Sequence, residues 1–162
     1  NLIGAVLSAA TGEHLMDLFA ELIATPLGIE RYYLGLQPTG EPYLGGGSQW
    51  LSRDFMRLGQ VMLNGGTWNG QRIVSEDWVA ASIGEQVKIG DRGYGYQWWL
   101  VDYPYADGNV RAFFAAGNGG QIVMGVPELD LLIAFYGGNY SDRVLFRAQE
   151  VLIPEYILPA IQ

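Results

Sequence analysis

The chain has 162 residues, 49% hydrophobic and 16% charged, which suits one globular domain of a size that buries roughly 70% of its unfolded surface. A net charge of −8 counts against nucleic acid or an anionic membrane as partner. No cysteine occurs, so disulfides, thiolate catalysis and cysteine-held metals are excluded, and no apolar run approaches the roughly 18 residues of a membrane-spanning helix.

In chain order, Leu2, Ile3, Val6, Leu7 and Ala10 recur at helical spacing, and Gly12 supplies a stop. The first residues, Asn1-Leu2-Ile3-Gly4, already lie inside that pattern and lack an initiator Met, as expected of a chain cut from a longer one. Leu15, Leu18, Phe19, Leu22 and Ile23 predict a second helix that stops before Pro26. Residues 28–47, with Pro38, Pro42 and Gly45-Gly46-Gly47, read as a loop. Ser52 caps a helix with Phe55, Leu58 and Met62 on its apolar stripe, closed by Asn64-Gly65-Gly66. Asn69-Gly70 signals a hairpin, and Ser75-Glu76-Asp77 starts a short helix bearing Trp78, Val79 and Ile83.

Beyond residue 93 the pattern turns extended. Residues 94–101 read as an aromatic strand. Strand-like runs at 110–114, 121–126 and 131–136 follow at hairpin spacing, the last two joined by a turn at Pro127-Glu128-Leu129-Asp130. An amphipathic helix over 144–161, interrupted near Pro154, closes the chain. The expected fold class is α+β: a mainly helical part over 1–92, an antiparallel sheet of three C-terminal strands within 93–140, and a closing helix in 141–162.

The stretch with most chemical content is Ala115-Ala116-Gly117-Asn118-Gly119-Gly120-Gln121. Glycines at a strand entrance let a ligand approach main-chain N–H groups, because no Cβ intervenes. Such N–H groups can hold a developing oxyanion. A nucleophile to accompany them is missing. His14 is the one histidine and reads as a solvated surface residue, so a histidine triad is excluded. Lys88 is the one lysine, and the residue three before it is Glu85, so there is no Ser-x-x-Lys pair. Gly47-Ser48-Gln49 fails the Gly-x-Ser-x-Gly pattern, and no phosphate loop or dinucleotide fingerprint occurs. No metal site and no cofactor are expected. Ser52, Ser75 and the acids Glu76, Asp77, Glu128 and Asp130 read as caps and turns. Tyr94, Tyr96, Trp98 and Trp99 either form a core face or line a cleft.

Taken together, these segments resemble the serine β-lactamase/penicillin-binding-protein-like hydrolases of class C β-lactamase type. Residues 1–12 resemble the helix after that family's Tyr-x-Asn/Ser motif, and Pro26-Leu27-Gly28-Ile29 its Pro-Leu-Gly-Met segment. Gly45-Gly46-Gly47 with Ser52-Arg53-Asp54-Phe55 resembles its glycine run and following helix start. Residues 63–75 resemble its "LLNGGxxNGxRILS" stretch, and Tyr94-Gly95-Tyr96-Gln97-Trp98-Trp99 its "YGxGWW" strand. Gly117-Asn118-Gly119-Gly120-Gln121 resembles the region of its Lys/His-x-Gly motif, with Ala115 where many members carry Lys or His.

The resemblance implies an incomplete portion of a β-lactamase/transpeptidase-like fold, whose attacking serine, lysine base and assisting tyrosine would lie upstream. It implies that the Asn118 N–H is an oxyanion donor, and that Ala115, Ala116, Gly117, Gly119, Tyr96 and Trp98 bind substrate. The absent cation at Ala115 turns the expectation from β-lactam or carboxypeptidase chemistry to hydrolysis of a small ester, amide or peptide-like substrate. Expected partners are that substrate and either the upstream segment or a second copy of the chain. The resemblance and the lack of cysteine favour a periplasmic or secreted protein. The alternative is a non-catalytic binding or assembly module that reuses the fold.

Overall fold

The computed structural model describes residues 2–161, apart from the side chains of Val144 and Leu145. Asn1, which opens the first matched motif, and Gln162, which ends the closing segment, lie outside the described residues. The chain divides into two compact units between Arg57 and Leu58.

In the first unit α1 (Leu2–Thr11) ends at Gly12, as its spacing predicts. Helix α2 (Leu15–Phe19) is capped by His14, whose Nδ1 accepts the Met16 N–H at 3.2 Å. His14 is therefore exposed, as expected, but it also organises the helix start. The helix does not continue as an α-helix to Ile23. It widens into a π-helical turn over Ala20–Ala24, where the Thr25 N–H donates to the Ala20 carbonyl at 2.9 Å.

Residues 28–47 are not simply a loop. They contain β1 (Tyr32–Tyr33), which pairs antiparallel with β2 (Gln49–Trp50), and a further bridge joins Leu36 to Pro42. The cause is aromatic packing: Tyr32 stacks on Trp50 at 6.0 Å, and Phe19 meets both edge-on at 5.0 and 5.2 Å. Strands of two residues carry no periodicity for a sequence reading to detect.

Helix α3 (Ser52–Leu63) contains the unit boundary. The hairpin of β3 (Thr67–Trp68) and β4 (Gln71–Arg72) turns at Asn69 and Gly70, with φ of +47° and +78°, as the Asn-Gly signal predicts. Helix α4 (Glu76–Ile83) is capped by the Ser75 hydroxyl, which accepts the Trp78 N–H at 3.2 Å.

The second unit then builds an antiparallel sheet over residues 87–135, in the α+β class expected. This sheet holds six strands among the described residues, not three: β5 (Val87–Ile89), β6 (Arg92–Tyr94), β7 (Trp99–Tyr105), β8 (Gly108–Ala116), β9 (Ile122–Val126) and β10 (Leu131–Phe135). Each neighbours the next in sequence, so the sheet is a plain meander. The single strand predicted over 94–101 is broken. Tyr94 ends β6, the chain turns at Gly95 with its N–H on the Trp98 carbonyl at 2.8 Å, and Trp99 starts β7.

Alternation places the two faces of this sheet in different cores. Tyr103, Val110, Ala112, Phe114, Ile122, Met124, Val126 and Ile133 face one side and pack on Ala148, Ile153 and Leu158 of the closing segment. Leu100 and Phe113 face the other and pack with Met62 and Val79. Helix α3 lies against that side at Gly59, where an added Cβ would stand 2.7 Å from Val123 Cγ2 and 2.8 Å from Leu132 Cδ1. Cross-strand, Gly125 lies opposite Phe113, whose ring occupies the space a side chain would need.

The closing helix is not broken at Pro154 but runs through it as a π-helix, Ala148–Ile157, flanked by 3-10 turns. In i→i+5 bonding, residue 154 would donate to the Gln149 carbonyl, and proline has no N–H to give. The Tyr103 hydroxyl donates to that carbonyl instead, at 3.2 Å. Arg92 Nη1 donates to Gln149 Oε1 at 3.0 Å, so one buried glutamine ties the helix to β6 and β7.

Candidate active site

The glycine cluster forms the hairpin between β8 and β9. The Gly117 N–H donates to the Gln121 carbonyl at 2.8 Å and closes the loop. Within it, the Gly120 N–H donates to the Gly117 carbonyl at 3.1 Å, which makes residues 117–120 a β-turn with Asn118 and Gly119 at its centre. Gly120 follows at φ +87°, in the left-handed region that a turn of this kind places after itself and that glycine adopts without strain. Asn-Gly-Gly is therefore read directly as turn, turn and left-handed exit.

This geometry distributes the backbone donors unequally. The N–H groups of Gly117 and Gly120 are used as above, and that of Gly119 donates to Gln121 Oε1 at 3.0 Å. Among the described residues the Asn118 N–H makes no hydrogen bond, and Asn118 is exposed. A single outward donor thus sits at the crown of a turn whose other donors point inward.

Beside it, β8 outruns β7. The last cross-strand pair is Trp99 with Phe114, whereas β8 continues to Ala116, paired on its other side with Ile122. Because Gly117 and Gln121 are a hydrogen-bonded pair, antiparallel alternation turns the N–H and C=O of Ala116 away from β9, into the lane that β7 has left. The lane opens because the chain leaves it at Gln97, which takes φ +68°. The result is a short open strand edge ending in the free Asn118 N–H.

Of the residues predicted for a site, Ala115, Ala116, Gly117, Asn118 and Gly119 are contiguous here, with Ala116 and Gly117 exposed and Gly119 buried. Tyr96 and Trp98 lie in the turn between β6 and β7, just before β7 begins at Trp99, and both rings are engaged. Trp98 packs edge-on against Phe113 at 5.1 Å, on the core side. Tyr96 stacks on Trp78 of α4 at 5.2 Å and 6°, and its N–H donates to the Ser82 carbonyl at 3.0 Å. Three residues at this turn were missed: Gln121, Gly137 and Tyr140. Gln121 Nε2 donates to the Gly137 carbonyl at 2.6 Å and to the Tyr140 hydroxyl at 3.3 Å. Their sequence positions carry no motif, so only tertiary contact identifies them.

No ionised side chain bonds the turn in any of these contacts. The best-formed charge pair of the sheet lies elsewhere, where Arg111 holds Asp102 through two bonds of 2.8 Å. The hydrogen bond from Arg111 keeps the Asp102 carboxyl below its usual range. A cavity of about 170 Å³ lined by Ile83, Leu100, Arg111, Phe113, Pro127 and Glu128 is separate from the turn. Among the described residues no three histidine or acidic side chains converge as a metal site would require, and no helix is long and apolar enough to cross a membrane.

Comparison with known proteins follows the same outline. A family model described as Beta-lactamase matches residues 1–140. A curated relative, the 6-aminohexanoate-dimer hydrolase of Paenarthrobacter ureafaciens, is 26% identical over 146 residues, covering 82% of this chain and 36% of the relative. Among solved structures, a Bacillus anthracis protein provisionally assigned as a 6-aminohexanoate-dimer hydrolase superposes with a TM-score of 0.73 at 23% identity, covering 95% of this chain and 41% of that one. The octameric penicillin-binding protein homologue from Pyrococcus abyssi gives 0.69 at 20% identity, covering 99% and 43%. The chain therefore spans less than half the length of each of these proteins.

Proposed function

The chain belongs to the Beta-lactamase family of hydrolases, and from that premise we propose that it supplies the oxyanion-side strand of a Ser-Lys-Tyr hydrolase acting on an ester or amide. In this reading the nucleophile and base reside on polypeptide outside these 162 residues. The sequence has no Ser-x-x-Lys, and each relative has more than half its length beyond the matched region.

The observation that carries the reading is the Asn118 N–H, the one donor of the 117–120 turn left without a partner among the described residues. When a serine oxygen adds to the substrate's carbonyl carbon, the carbonyl oxygen takes up negative charge. A donor fixed before the reaction stabilises that charge without reorganising. The nucleophile's own N–H supplies the second donor by family resemblance. A substrate amide laid along the open lane meets the N–H and C=O of Ala116, in the manner of an added strand. Ala115, Gly117 and Gly119 shape that lane, and Tyr96 and Trp98 border it. Ala115 offers no cation for a substrate carboxylate, which favours neutral esters and amides.

Asn118→Pro, read against Asn118→Ala, tests this: proline suits the first central position of the turn and removes the N–H, and the alanine variant accounts for the lost carboxamide. In the catalytically complete protein, kcat falls on the order of 10²–10³-fold on an activated ester. An unchanged kcat refutes the assignment. Fluorophosphonate leaves the isolated 162-residue chain unlabelled; covalent labelling of this chain places a nucleophile within it and refutes the division of roles.

A further inference from the structure

We infer that Gln121 is a positioning residue, whose carboxamide locks the turn so that the Asn118 N–H stays aimed at the reacting oxygen; this rests on the reading of Asn118 above. Both neighbours of Asn118 are held from two sides. Gly117 donates to the Gln121 carbonyl and accepts from Gly120. Gly119 donates to Gln121 Oε1 at 3.0 Å, and its carbonyl accepts the Asn139 N–H at 3.0 Å.

The Gln121 side chain closes this frame. Its Oε1 takes the turn's inward donor, while Nε2 reaches the Gly137 carbonyl and the Tyr140 hydroxyl on the segment after β10. That segment approaches closely because residue 137 is glycine: a Cβ there would run into the Gly119 carbonyl oxygen. The Tyr140 ring likewise fills the space a side chain at Gly119 would take, 2.9 Å from that position. Remove the amide of Gln121 and the inward donor of Gly119 loses its acceptor, so the turn is free to rotate its donors. Only a side chain with an acceptor and a donor on one planar head bridges both segments at once.

The test pairs exchange with kinetics. Hydrogen exchange at the Gly119 N–H accelerates in Gln121→Leu, which loses the acceptor, and also in Gln121→Glu, which keeps it but sets a carboxylate oxygen against the Gly137 carbonyl in place of the donor. In the catalytically complete protein, Gln121→Leu lowers kcat on the order of 10- to 100-fold with KM little changed, since misplacement acts on the transition state more than on binding. Unaltered exchange at Gly119 in Gln121→Leu overturns the inference. So does accelerated exchange with unchanged kcat. Asn118→Pro separates the two claims: if it slows the reaction where Gln121→Leu does not, only the positioning role fails; if neither does, the oxyanion assignment fails as well.

Discussion

Tyr103→Phe deletes one oxygen and leaves the Gln149 carbonyl without its donor. Pro154 cannot replace it, and both Tyr103 and Gln149 are 6% exposed, so water does not readily reach the gap. An unsatisfied buried carbonyl costs ~1–3 kcal/mol. At about 2–4 °C per kcal/mol for a chain of this size, the midpoint of thermal unfolding falls by about 2–12 °C. Restoring an N–H with Pro154→Ala gives the carbonyl a helical donor, so Tyr103→Phe costs less in that background. The coupling read from the four proteins by denaturant unfolding is about 0.5–3 kcal/mol. Burial also pushes the Tyr103 phenol up from 10.0 to about 12, with the Arg92 charge opposing. A raised folded value means that this stabilisation is complete below pH 10 and is lost as pH rises towards about 12. Tyr103→Phe removes that alkaline loss. A Tyr103→Phe protein within about 0.3 kcal/mol of the parent, or an additive cycle, refutes the role given to the proline.

Two further outcomes follow from the sheet. Asp102→Asn breaks the exposed cross-strand pair with Arg111 and costs ~0.2–1 kcal/mol by denaturant titration, less at high salt. Because the Asp102 carboxyl is lowered in the fold, its contribution is present above the ordinary value of 3.8 and lost as pH falls below it; a variant with the same acid profile as the parent contradicts this. Gly59→Leu drives a side chain into Val123 and Leu132 and destabilises by ~1–3 kcal/mol, whereas a neutral result would mean that α3 does not lie on β9 and β10 as described.

Elements with strong local chemistry were legible. The Asn69-Gly70 hairpin, the Ser75 cap, the turn ending at Asp130 (φ +47°) and the strands around the glycine cluster follow from residue type and spacing. The errors have distinct causes. Gly90-Asp91 between β5 and β6 is itself a hairpin signal, but the flanking strands have three residues each and show no alternation. The aromatic run at 94–101 satisfies strand propensity throughout, yet the chain turns because the Gly95 and Tyr96 N–H groups bond the Trp98 and Ser82 carbonyls. Pro154 reads as a helix breaker, and the break is averted by a tyrosine 51 positions earlier (154 − 103) that lies beside it only after folding.

The candidate site divides the same way. Residue chemistry alone marked the stretch 115–121, since glycine is what allows a bare turn with a left-handed exit, and showed that these 162 residues hold no Ser-x-x-Lys pair. Which of the four turn N–H groups faces outward was not encoded locally. That depends on Gln121 folding back on Gly119, on the 137–140 segment pressing against the turn, and on β7 ending before β8. Local sequence selects conformations within a few residues; the direction of a free donor is set by which neighbours arrive from elsewhere to occupy the others.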